Sequence, residues 1–181
     1  MLTITGPVDV ADVFITPKAG AVVSLRGGGT LERSTGTDDA LFELSEANST
    51  LILRDAVLKG HVGNDNPLVR VNMESSVKFV MYGGTITGNT GGGVFVNDGT
   101  FTMSGGTISG NTASNLGGGV AVGVDTFTKT GGTISGNTAG EGKEVVWMDE
   151  DSNIWIVNEP VTGPLSTDVP GTGWVALPPS S

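Results

Sequence analysis

Short runs in which every second residue is apolar recur along this chain, three to a period, and no stretch places apolar residues at the 3.6-residue spacing of a helix. The first run of each period is VFIT at 13–16, LFEL at 41–44, LVRV at 68–71, GVFV at 93–96, GVAV at 119–122 and EVVWM at 144–148. The second is VVSL at 22–25, TLIL at 50–53, KFVM at 78–81, TFTM at 100–103, TFTK at 126–129 and NIWI at 153–156. The third is centred on Ile4, Leu31, Leu58, Ile86, Ile108, Ile134 and Val161, with spacings of 27, 27, 28, 22, 26 and 27 residues. A fixed period of this length marks a repeat in which no unit can bury its own apolar face and each stacks on the next. The pattern predicts an all-β fold, a parallel β-helix of about six coils with three short strands per coil. The crossover rule for parallel strands makes it right-handed. Residues 1–165 are assigned to this repeat domain and 166–181 to a C-terminal cap or tail.

Alternation also predicts which side chains point inward. In the second run Leu51, Phe79, Phe101, Phe127 and Ile154 each lie seven residues before a register mark, forming one inward column. Ile52, Val80, Thr102, Thr128 and Trp155 then face out. In the first run Val69, Val94, Val120 and Val145 line the core, and Glu43, Arg70, Phe95 and Ala121 form an outward column in which Glu43 and Arg70 are an opposite-charge pair. In the third run Thr85 and Thr87, Thr107 and Ser109, and Thr133 and Ser135 flank the inward isoleucines. Asn89, Asn111 and Asn137 each follow a glycine three residues after the mark, as in a turn held by a ladder of stacked amides; His61 occupies that slot one coil earlier.

Composition narrows the function classes. Thirty glycines beside a single tyrosine and a single histidine suit many tight turns between short strands. A net charge of −10 disfavours nucleic acid and anionic membranes as partners. The absence of cysteine excludes disulfides and thiolate metal sites. No apolar stretch approaches the length of a membrane span, and the first residues lack the pattern of an export signal.

The phrase GGTI-x-GN, strongest over residues 83–140, resembles the GGAI-type repeats of chlamydial polymorphic outer-membrane proteins and related bacterial surface adhesins. The FxxN partner motif of those proteins is not clearly present. The resemblance implies a structural or adhesive segment of a longer exported chain, at the cell surface or outside the cell, with a host or cell-surface protein or glycan as partner. A carbohydrate-active or phage-type receptor-binding β-helix is the alternative. A third reading, ice binding, rests on the Thr-x-Thr and Thr-x-Ser pairs of the third run.

Catalysis is not expected. A glycosidase needs two carboxylates facing one groove, and a lyase needs Ca²⁺-binding carboxylates beside a basic group. The acidic clusters, Asp38–Asp39 and Asp149–Glu150–Asp151, are separated by about four coils, roughly 20 Å at the inter-strand spacing. The second cluster reads as a solvated turn, with a weak Ca²⁺ site as the sharper alternative; no cofactor is implied. The candidate ligand surface comprises Thr85, Thr87, Phe95, Thr102, Thr107, Ser109, Thr128, Thr133, Ser135 and Trp155. Four prolines after Val161 and Trp174 suit a cap. Its removal would expose strand edges and allow end-to-end association.

Overall fold

The computed structural model describes residues 2–9, 15–33, 39–72, 76–115, 117–123, 126–140, 143–151, 153–167 and 174–176. It is an all-β parallel solenoid. An incomplete first turn holds β1 (Leu2–Thr3) and β2 (Val8–Asp9). Five full turns follow: β3 (Val22–Arg26), β4 (Thr30–Glu32) and β5 (Phe42–Leu44); β6 (Thr50–Leu53), β7 (Val57–Lys59) and β8 (Val69–Val71); β9 (Lys78–Met81), β10 (Thr85–Thr87) and β11 (Val94–Val96); β12 (Thr100–Met103), β13 (Thr107–Ser109) and β14 (Val120–Val122); β15 (Thr126–Lys129), β16 (Thr133–Ser135) and β17 (Val145–Met148). Three more strands, β18 (Ile154–Val157), β19 (Leu165–Ser166) and β20 (Val175–Ala176), close the end. The second runs build sheet A, the third runs sheet B and the first runs sheet C.

Register follows the repeat. Ile86 pairs with Leu58 on one side and Ile108 on the other, and Ile108 with Ile134. Leu51, Phe79, Phe101 and Phe127 form the inward column of sheet A, all inaccessible to solvent. The phenylalanine rings stack at centroid distances of 4.7 and 5.0 Å with interplanar angles of 11° and 19°. Parallel in-register pairing repeats one side chain at each strand spacing, so identical flat rings fall naturally into a stack.

The turn from sheet A to sheet B takes three residues in every full turn, and in four of them it ends Gly-Gly. The reason is space and conformation. A Cβ on Gly105 would lie 2.3 Å from the Tyr82 carbonyl oxygen; Gly106 has φ +87° and a Cβ there would meet the Met81 Cε at 2.5 Å. The turn from B to C varies instead. Six residues separate Thr87 from Val94 and ten separate Ser109 from Val120, which accounts for the 22- and 26-residue spacings.

Buried asparagines carry that variable turn. The Asn111 amide nitrogen donates to Asn137 Oδ1 at 3.0 Å and to the Ile86 carbonyl at 3.1 Å, and the Asn89 backbone N–H donates to Asn111 Oδ1 at 3.2 Å. The ladder extends in both directions: Asn64 Nδ2 donates to Asn89 Oδ1, and Asn137 Nδ2 donates to the buried Glu144 carboxylate at 2.7 Å. Asn64, not His61, is therefore the member from the earlier turn: its buried amide donates to Asn89, whereas His61 offers its backbone carbonyl to the Thr90 hydroxyl.

Both ends depart from the repeat. Val8, rather than Ile4, pairs with Leu31, while Leu2 pairs with Leu25 in sheet A. Ile154 does not join the phenylalanine column: β18 folds back antiparallel on β17, opposing Ile154 to Met148. Val161 does oppose Ile134, but in an antiparallel bridge. β19 then pairs antiparallel with β15, and β20 with β18. The chain that wound A to B to C thus winds C to B to A across the end. These reversals explain five full turns where six coils are expected, and they start the capping strands at β18, before residue 166. The VFIT run falls partly outside the described residues, with Ile15 bridging to Phe42.

The cap is fastened by apolar and polar contacts. Trp147 takes the core position next to Val122 and contacts Trp155 and Trp174 at centroid distances of 6.4 and 5.8 Å. In the inward column Leu53, Met81, Met103, the next residue is Lys129, whose Nζ donates to the Gly163 carbonyl at 2.8 Å. Burial lowers the Lys129 pKa from its ordinary 10.5. Between the lowered value and 10.5 the unfolded chain binds a proton that the folded chain has lost, so stability rises with pH in that window. Lys129→Met continues the methionine column, and we expect it to melt at or above the parent temperature at pH 7 and to flatten this rise in melts taken up to pH 10.5.

Candidate functional site

The ten residues predicted to form a ligand surface do not share one face. Thr85, Thr87, Thr107, Ser109, Thr133 and Ser135 stand in register on the outside of sheet B, where each is half-buried around a buried isoleucine. That regular patch is three strands deep; the next outward pairs are Val57 and Lys59, then Thr30 and Glu32, with Lys59 Nζ 2.5 Å from Glu32. Thr102 and Thr128 lie on sheet A, and Thr128 is paired with Ser166 of the cap. Phe95 lies on sheet C. Trp155 belongs to the cap hairpin, half-buried against Trp147.

The outward column of sheet C runs Glu43, Arg70, Phe95, Ala121 and Val146. Its expected Glu43–Arg70 neighbours are in register, yet the Arg70 Nη2 donates to Asn66 Oδ1. Above this column opens a cleft of about 400 Å³. Arg70, Phe95, Ala121 and Val146 contribute to its lining, with Met148 and Ile154 supplied by the last hairpin. The B-to-C turns bring Asp65, Asn66 and Asn115 to the cleft, and Asn97 comes from the turn after β11. Of the predicted residues only Phe95 belongs to the cleft. Strand alternation identifies an outward aromatic but cannot reveal a wall made by loops. The one sequence signal was the unequal B-to-C spacing, since loops of different length on one edge leave a step.

Asp149, Glu150, Asp151 and Asn153 of the acidic run lie between β17 and β18. Asp149 accepts hydrogen bonds from the Asp151 and Asn153 backbone N–H groups, the Asn153 amide and Trp155 Nε1, at 2.8–3.1 Å. The bond from Trp155, followed by those from Asn153 and Asp151, outweighs desolvation and holds the Asp149 carboxyl below its ordinary pKa. Its oxygens fasten the hairpin, while Glu150 and Asp151 are exposed. Among the described residues no three His, Asp or Glu side chains gather in a geometry that could hold a metal ion. Asp38 lies outside the described residues, and Asp39 is exposed, its carbonyl accepting from Arg33 and Asn64.

No helix among the described residues is long and apolar enough to cross a membrane. Comparison with protein-family models, with curated proteins and with solved structures finds no match, so the chain's relationships rest on its repeat and its solenoid fold.

Proposed function

We propose that this solenoid is a non-catalytic structural and adhesive segment of a longer exported bacterial surface protein, which presents rigid, repetitive faces to a protein or glycan partner. The observation that carries the reading is the register of its outward columns. Uncharged Thr and Ser side chains on sheet B recur on successive turns, held in register by parallel strand pairing. A surface whose geometry is set by backbone pairing loses little side-chain entropy on binding. The likeness of the GGTI phrase to the repeats of bacterial surface adhesins points the same way, and over residues 83–140 the charged residues are only Asp98, Asp125 and Lys129.

The test is attachment. Deleting residues 1–181 from the chain that carries them is expected to reduce adhesion of the source cell to its substratum, and the purified domain added in excess is expected to compete. Adhesion unchanged by both would overturn the reading.

A further inference from the structure

We propose that the cleft over Phe95 on sheet C is a binding site for a neutral oligosaccharide, engaged through the flat C–H face of its pyranose rings. This rests on the adhesive reading above and names the ligand class and the place where it binds. Three observations lead there. First, the cleft is a lined depression rather than a flat face: its volume, about 400 Å³, lies in the range of small-ligand sites and suits two or three sugar rings.

Second, apolar and polar groups are segregated in a way that matches a sugar. Phe95 is the half-exposed aromatic of the outward column, flanked in register by Ala121 and then Val146. Its π-face attracts the weakly positive C–H groups of a pyranose. Around this apolar strip stand groups that bind hydroxyls in pairs: Asp65, Asn66, Asn97 and Asn115, of which Asp65, Asn97 and Asn115 are exposed. A purely aliphatic partner would cover the exposed Asp65 carboxylate and Asn115 amide and strip them of water without replacing its hydrogen bonds, which would weaken binding. The column from Arg70 to Val146 spans about 15 Å along the axis at the strand spacing, so the site is elongated like a short glycan chain.

Third, charge selects against acidic sugars. The chain carries −10 overall, Asp65 lies at the cleft, and Arg70, the one cation lining it among the described residues, is already engaged by Asn66 and sits in register beside Glu43. The cleft therefore favours uncharged hexose or N-acetylhexosamine units over uronic acids.

Titration calorimetry with maltohexaose, cellohexaose, mannohexaose and chitohexaose, with hexagalacturonate as the anionic control, tests this on the purified chain. Saturable binding of at least one neutral hexamer is expected at about millimolar concentration, with none for hexagalacturonate. Phe95→Thr keeps a good strand former on an outward position and is expected to weaken binding about tenfold while leaving the melting temperature nearly unchanged. Lys78→Thr on the exposed side of sheet A, away from the cleft, is expected to bind as the parent does. Absence of binding by every neutral hexamer, equal affinity in Phe95→Thr, or saturable binding of a tryptophan-containing peptide in place of the sugars would each overturn the proposal. If adhesion depends on the domain but the sugars do not bind, the glycan cleft is wrong and the adhesive reading stands; sugar binding without any role in adhesion refutes the adhesive reading alone.

Discussion

Phe101→Ala is expected to lower the free energy of unfolding by about 3–5 kcal/mol, the range for removing a buried aromatic. Phe101 is inaccessible to solvent and sandwiched between Phe79 and Phe127, so alanine leaves a void and deprives two rings of a stacking partner at once. Relaxation cannot fill the gap easily, because parallel register fixes the neighbouring side chains to their own turns. Thr102→Ala, one residue on and half-buried on the opposite face, is expected to stay within about 0.5 kcal/mol. Denaturant unfolding of both variants decides it. Equal losses at the two positions would refute the face assignment.

Asn111→Ala is expected to cost about 2–4 kcal/mol although no charge is lost and the removed volume is small. The side chain is buried, donates to Ile86, Ser109 and Asn137, and accepts from the Asn89 backbone. Truncation leaves several buried polar atoms unpaired in a place that water does not reach, and the penalty for each exceeds what the bond contributed. Hydrogen exchange separates this loss from a general one. The Asn89 amide, deprived of its acceptor, should exchange much faster, whereas amides of β12 should slow or quicken only with global stability. An unchanged Asn89 exchange rate would show that the ladder contributes little.

Most of the body of the solenoid was legible in the strand pattern. Ile86, Ile108 and Ile134 identify sheet B, and the phenylalanines identify the inward face of sheet A, because a solenoid is nearly one-dimensional: each residue's neighbours are its own equivalents one period away. The same property explains the errors. Ile154 has the right spacing to follow Phe127, and Ile4 the right spacing to precede Leu31, yet an end strand has only one neighbour and other contacts decide its place. At the C-terminus the bonds to Asp149 and the contact of Trp155 with Trp147 favour a hairpin, and the chain reverses. His61 is displaced from the ladder by Asn64, three residues further along the same turn, which is buried and whose amide donates to Asn89 Oδ1.

By itself the sequence determined the fold class, the three faces and the inward columns, since period-two alternation within a 26-residue repeat leaves one way to bury the apolar half of each strand. Only the tertiary structure decided how the ends close and where a ligand could sit. The cleft joins Asn66, Phe95, Asn115 and Met148 from four different turns, and its walls depend on loop lengths acting together across strands. No local run encodes that, because backbone pairing sets the floor one strand at a time while the depth of a groove arises from differences between neighbouring loops.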